Sequence, residues 1–277
     1  MIDVKNILLS AEELEKCITF SKQSAINQQA IEFGQKTTKA RGTSEIARDN
    51  LIGKIAEVAF SKMLRENYGL DVPLDFNYYP RGQWDNQDAV INGWRIDVKG
   101  TRKGGHWMLI EWSKLNFRQR DNNLSHVYVM FSVDWDRSAD RPTGRVSYEG
   151  AASLSKLSAD CPTTYVLRKG ETIPGTKTHL QADNYGIRFR DLYKHLNHFV
   201  AYLQEQEPPP TLTDNYKNPY TGQTTAEILA LETKISEKTT EAKPVVDSIS
   251  EAPAYDIKPT TDTWFARFIR RIKEWLK

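Results

Sequence analysis

Asn92-Gly93 stands between two runs of β-forming residues, 87–91 and 94–99. A two-residue Asn-Gly link between such runs is a strong hairpin signal, because both turn positions need positive φ. It also sets the register. Ile91 falls opposite Trp94, Val90 opposite Arg95, Ala89 opposite Ile96 and Asp88 opposite Asp97. Side chains alternate between faces along a strand. Ala89, Ile91, Trp94, Ile96 and Val98 therefore make one wholly apolar face. Asp88, Val90, Arg95, Asp97 and Lys99 make the other. Two carboxylates facing each other at about 5 Å between Cβ atoms repel and call for a compensating partner. On an exposed sheet face, Arg95 and Lys99 fill that role. In a site, a divalent cation fills it, since Mg²⁺ takes oxygen ligands and is commonly held by one or two carboxylates plus phosphate oxygens.

Around this hairpin the pattern predicts helices first, then strands, then a helix, which is an α/β order. A helix over 10–33 opens on Ser10 and Glu13, spaced as a capping box. A second, over 44–67, places Ile52, Ile55, Ala56, Ala59, Phe60 and Met63 at helical spacing and stops at Gly69. Strands follow at 107–112, 126–135 and 165–167; the second is apolar on both faces from Val127 to Val133, as a central strand should be. A helix over 191–204 carries Leu192, Leu196, Phe199, Val200 and Leu203 on one face, and 181–186 reads as a turn.

Three segments differ in charge. Residues 207–262 hold ten acids and five bases, with Pro208-Pro209-Pro210 and few aromatics, and read as a disordered acidic linker with a short helix at 224–238. Residues 263–277 hold five bases and one acid. With 39% hydrophobic and 27% charged residues overall, 1–206 has the means to bury a core. A formal net charge of +2 excludes a strongly cationic coat protein but not local basic patches. Two cysteines, Cys17 and Cys161, exclude a disulfide scaffold and a zinc finger, and are expected as reduced thiols of a cytoplasmic protein. No long apolar run opens the chain and none approaches the roughly 20 residues of a membrane span, so neither a signal peptide nor a membrane span is expected.

The hairpin acids, together with Glu57 in Gly53-Lys-Ile-Ala-Glu57-Val-Ala-Phe60, resemble the PD-(D/E)xK nuclease superfamily. Glu57 matches the acid of its first core helix, Asp88 the isolated aspartate, and Asp97-Val98-Lys99 the terminal tripeptide, in the family's order. The likeness covers about residues 44–135; no proline precedes Asp88, and Asp85 is a rival for that position. It implies a restriction-endonuclease-like core, a mixed central sheet flanked by helices. It also implies a Mg²⁺-dependent nuclease, with Mn²⁺ as substitute and DNA as the expected substrate of an endonuclease. Asp88, Asp97, the Val98 carbonyl and Glu57 would hold the metal, and Lys99 would position or deprotonate water. A homodimer would accord with restriction enzymes and resolvases. The alternative is a non-enzymatic nucleic-acid or membrane adaptor on a degenerate nuclease fold.

Phosphate contacts need cations. Arg102 and Lys103 follow the motif strand, and Lys114, Arg118 and Arg120 lie in the next connection. The aromatics of 77–84 are candidates for base stacking or for packing. His195 and His198 have helical i, i+3 spacing, but no further ligand accompanies them at suitable spacing. In 263–277, Trp264, Phe265, Phe268, Ile269, Ile272 and Trp275 fall on one helical face and the bases on the other. That pattern fits a helix lying on an anionic membrane surface, at the inner face of a membrane, or docking on a protein.

Overall fold

The computed structural model of the chain describes residues 6–28, 42–78, 87–112 and 125–208, with positions 224, 227 and 230. Strand β1 (Asn6–Leu8) leads into α1 (Ala11–Gln28) and α2 (Thr43–Tyr68). Strands β2 (Ala89–Ile91), β3 (Trp94–Arg102), β4 (Trp107–Glu111), β5 (Val127–Asp136), β6 (Arg141–Ser153), β7 (Thr164–Leu167) and β8 (Asn184–Arg188) follow, and α3 (Leu196–Glu205) closes the series.

The local signals explain most of these boundaries. Ser10 and Glu13 exchange capping-box hydrogen bonds: the Glu13 amide donates to Ser10 Oγ at 3.1 Å, and the Ser10 amide to Glu13 Oε2 at 2.6 Å. Gly69 ends α2 in the left-handed region, its amide returning to Arg65. Asn92 and Gly93 have φ of 46° and 79°, and β2 and β3 pair as Ile91–Trp94, Val90–Arg95 and Ala89–Ile96. Thr224 and Glu227 exchange capping hydrogen bonds at the head of the segment expected to be a linker helix. The tail 263–277, with Trp264, Phe265, Phe268, Ile269, Ile272 and Trp275, lies outside the described residues.

The sheets make the core two-sided. A five-stranded mixed sheet runs β1-β6-β5-β3-β2, with β3 and β5 parallel and the other neighbours antiparallel. On β5, Val127, Val129, Phe131 and Val133 join the helices in one cluster, which also holds Ile55, Phe60, Trp94, Val98 and Val200. Tyr128 and Met130 join Met108, Ile110, Tyr185 and Ile187 in a second cluster, under the small sheet β4-β8-β7. This is why β5 is apolar on both faces. The chain is thus mixed α/β, with helices on one face of a mixed sheet and a second sheet on the other.

Two expectations need correction. Helix α3 starts at Leu196, not 191. Residues 189–191 form a 3₁₀ turn, and Tyr193 instead exchanges backbone hydrogen bonds with Ala151 of β6, at 2.8 and 3.0 Å. Gly150 permits that pairing, since a Cβ there would lie 2.5 Å from Leu192 Cβ. The 181–186 stretch expected as a turn contains the start of β8, which pairs with both β4 and β7. Strands β1 and β6 carried no expectation; β6 contains Pro142, Gly144 and Gly150, which mask its alternation. The expected helix to 33 is seen to Gln28, and 29–33 lies outside the described residues. Both cysteines are free, and burial raises the Cys17 thiol to about 12.

Candidate active site

The apolar face of the hairpin is buried as the register requires: Ala89, Ile91, Trp94, Ile96 and Val98 are all in the core. On β3, Asp97 and Lys99 pair in register with Tyr128 and Met130 and share their face, opposite the helices. Asp97 Oδ1 lies 2.5 Å from Lys99 Nζ in an ion pair, and that oxygen is sealed from solvent.

Asp88 departs from the expected hairpin in an informative way. The ladder stops at Ala89, so β3 runs on beyond its partner at the sheet edge. Asp88 does not stand opposite Asp97 as a paired strand residue; its Oδ2 accepts the Val98 amide at 2.6 Å. The carboxylate takes the place of the missing strand and satisfies an amide that would otherwise lack a partner. In an extended strand the N–H and C=O of one residue point to the same side. The Val98 carbonyl is therefore directed at the same open edge as Asp88.

Helix α2 brings in Glu57. The helix packs closely on β3 because Gly100 has no side chain: a Cβ there would lie 2.6 Å from the Ile52 carbonyl oxygen and 3.1 Å from Ala56 Cβ. Glu57 follows Ala56 in that turn of the helix and forms an ion pair with Lys54. Lys54 was not singled out in the sequence. Its ammonium is buried, donates to the Asp75 carbonyl at 2.8 Å and lies 4.4 Å from the Phe20 ring centre. The i, i+3 spacing to Glu57 within an apolar helix face was the signal available.

The four residues interact electrostatically. The Asp88 carboxyl is pushed well above the ordinary carboxylate range, by burial first and then by the charges of Glu57 and Asp97; Lys99 and the Val98 amide oppose this. Lys99 is held above its ordinary value: burial acts to lower it, and Asp97, then Asp88 and Glu57, outweigh that effect. As the side chains stand, no three His, Cys, Asp or Glu among the described residues are arranged to hold a metal ion. Lys99 and Lys54 hold the carboxylates instead.

This arrangement predicts the stability of Asp88→Asn. The folded state holds the Asp88 proton more tightly than the unfolded chain does, so ionising it costs stability as pH rises from the ordinary carboxylate range through the raised value. Asparagine keeps an oxygen for the Val98 amide and does not titrate. In metal-free buffer at neutral pH the variant should melt higher, by about 2–4 °C for each ~1 kcal/mol gained. The advantage should vanish near pH 3, where Asp88 is protonated in both states. Melting curves across pH check this; an equal or lower Tm at neutral pH counts against the repulsive cluster.

Other sequence candidates fall elsewhere. Arg102 and Lys103 lie at the far end of β3, where Lys103 is 3.8 Å from Asp134. Lys114, Arg118, Arg120 and Asp85 lie outside the described residues, as do 79–84. Tyr78 stacks on Phe20 at 5.7 Å, a packing role. The rings of His195 and His198 stack on each other at 5.8 Å. No helix among the described residues is long and apolar enough to cross a membrane. No protein-family model matches the chain, and neither a curated protein nor a solved structure matches it.

Proposed function

We propose that the chain is a metal-dependent nuclease with a restriction-endonuclease-like core of the PD-(D/E)xK type, hydrolysing phosphodiester bonds in DNA as an endonuclease. The observation that carries this reading is the placement of Asp88 on the Val98 amide at the open edge of β3, beside the Asp97–Lys99 pair, with Glu57 on α2 contributing to the raised Asp88 pKa. Three carboxylates from a helix, a strand end and a strand interior bear on one another there, beside a lysine. Their donor chemistry suits a hard cation such as Mg²⁺ or Mn²⁺. Asp97 Oδ1 is screened from solvent and lies 2.5 Å from the Lys99 ammonium, so a bound cation would take the place of that ammonium. Asp88, Asp97, the Val98 carbonyl and Glu57 would hold the ion, which supplies a polarised phosphate and an acidified water when bound. Asp88 keeps its carboxylate on the strand edge through the Val98 amide. Lys99, held as an ammonium in this structure, would orient the attacking water or steady a phosphate oxygen as a donor. Lys54 restrains Glu57 from the other side.

The test uses the full-length protein and supercoiled plasmid. Cleavage is expected with Mg²⁺ or Mn²⁺ and none in EDTA. Glu57→Gln should cut turnover by about 100-fold or more, with duplex binding in Ca²⁺ little changed. Near wild-type turnover in that variant removes Glu57 from the site.

A second reading is a binding adaptor without catalysis. The ion pairs Asp97–Lys99 and Lys54–Glu57 favour it, since they satisfy the acids without a metal. Plasmid left intact at every metal concentration, by protein that binds duplex, would favour the adaptor. The basic amphipathic pattern of 263–277 would tether either protein to an anionic membrane surface or a protein partner.

A further inference from the structure

A pocket of about 390 Å³ opens on the small sheet, where β4 begins and β8 ends. The register sets Trp107 opposite Arg188 and Met108 opposite Ile187. Met108 and Ile187 face inward, in the cluster that holds Tyr128 and Met130 of β5. Side chains alternate along a strand, so Trp107 and Arg188 face outward. The strand ends are joined there, since the Phe189 amide donates to the His106 carbonyl at 2.9 Å. The Trp107 indole N–H donates to the Pro174 carbonyl at 3.0 Å and so holds Pro174 as a wall of the pocket.

Aromatic rings, not a carboxylate, hold Arg188. Its guanidinium carbon lies 5.2 Å from the centre of the Trp107 ring and 5.1 Å from that of Tyr165, and the two rings meet edge to face at 5.0 Å. Ring faces attract the charge but do not accept its N–H donors as a carboxylate would. No carboxylate among the described residues pairs with Arg188, and no acidic residue lines the pocket. Arg190, 71% exposed, stands 3.9 Å from Asp191, beyond hydrogen-bond reach. His106 is exposed and adds a ring donor. Two full positive charges thus meet at one pocket whose lining holds no counter-charge.

The chemistry of the missing partner follows from this count. Guanidinium forks match oxyanions. A carboxylate or a phosphodiester carries a single negative charge, whereas a phosphomonoester carries about −1.5 to −2 at pH 7 and three acceptor oxygens. The monoester therefore suits two guanidinium groups and an imidazole. Trp107, Pro174 and Phe189 give the pocket apolar walls, and its volume falls within the range of small-ligand sites, which begins at about 300 Å³. Such walls suit a planar nucleobase better than a bare sugar.

We propose that this pocket binds a nucleoside monophosphate, free or at the 5′ end of a strand, with its phosphate between Arg188 and Arg190 and its base against Pro174 and Phe189. Trp107 and Tyr165 are positioning residues, which fix the Arg188 guanidinium without touching the phosphate. The inference does not rest on the nuclease reading, because Trp107 and Arg188 belong to a different sheet from Asp97 and Lys99.

The experiment titrates full-length protein in EDTA with adenosine 5′-monophosphate by calorimetry, with adenosine as the uncharged reference. A fluorescent single-stranded DNA, with and without a 5′-phosphate, is titrated by anisotropy. Wild type should bind the monophosphate at least tenfold more tightly than adenosine. Arg188→Gln should lose about tenfold or more of that affinity. His106→Gln/Arg190→Gln, at exposed positions that leave folding undisturbed, should lose as much. Tyr165→Leu should lose about two- to fivefold, the worth of one cation–π contact, and Tyr165→Phe should retain wild-type affinity. Arg145→Gln, exposed on β6 beside β1, removes the same charge elsewhere and should match wild type. A gain from the 5′-phosphate on DNA that both test variants lose assigns the ligand to a strand end. Monophosphate binding without that gain assigns it to a free nucleotide. The proposal is overturned if wild type holds the monophosphate no more tightly than adenosine, or if Arg188→Gln and the double variant both bind it as wild type does.

Discussion

Asp97→Ala and Lys99→Ala are each expected to reduce Mg²⁺-dependent plasmid cleavage by roughly a thousandfold or more. The first removes a carboxylate whose sealed oxygen is a proposed metal donor, and the second removes the only ammonium in contact with it among the described residues. Loss of activity alone would not separate chemistry from folding, because the two side chains are partners and each is largely screened from solvent. Removing one leaves the other as a half-buried charge with its ion pair gone, which destabilises the fold. The cycle therefore includes Asp97→Asn/Lys99→Met. The double variant should be more stable than the sum of the single effects by about 0.5–3 kcal/mol in chemical denaturation, and should be inactive. If Lys99→Met melts lower and the double variant recovers stability without recovering cleavage, the pair is both a structural contact and catalytic. A double variant that cleaves DNA in a metal-dependent way removes both residues from the mechanism.

Gly100→Ala is expected to have the largest effect on stability. The added methyl meets the Ile52 carbonyl oxygen at 2.6 Å and Ala56 Cβ at 3.1 Å. Backbone within a helix does not step aside as a side chain tip does, so α2 must shift from β3 as a unit. Overpacking of this kind costs about 1–3 kcal/mol. At 2–4 °C per kcal/mol for a domain of this size, Tm should fall by about 2–12 °C. Glu57 rides on the displaced helix, so turnover should also fall at temperatures where the variant is still native by circular dichroism. A Tm within a degree of wild type would mean that helix and strand are less tightly apposed than the structure places them.

The parts of the fold legible in the sequence were those specified by local chemistry. Asn-Gly can link two strands tightly in few ways, and its register was recovered over all three ladder pairs. The Ser10–Glu13 box and the Gly69 cap depend on residues within one turn of the helix end, and both formed. What escaped was decided by distant partners. Asp88 left the ladder because a buried amide one strand away competed for its carboxylate. Strand β6 holds two glycines at positive φ, 86° at Gly144 and 132° at Gly150. Those residues signal turns when read alone; here they admit Leu14 and Leu192 against the strand. The same holds at the candidate site. Glu57, Asp88, Asp97 and Lys99 were identifiable by type and order. The restraint of Glu57 by Lys54 and the closeness that Gly100 permits depend on the packing of α2 on β3.

The pairing of β1 with β6 constrains when the sheet can be completed. Ile7 and Leu8 lie opposite Val146 and Arg145, and the Ser147 hydroxyl donates to Asn6, a partner 141 residues away in the chain. At roughly 5–20 residues per second, a ribosome delivers Ser147 about 7–28 s after Asn6. Strand β5, apolar on both faces, is made before either its β6 neighbour or the β8 strand that helps cover it. Helices α1 and α2 exist by then and cover one face only. The growing chain therefore passes through a stage with an apolar face and an open strand edge, the two features that recruit holding chaperones and promote aggregation when chaperones are scarce. In this protein the helical half can form early, while the β half must wait for its own far end.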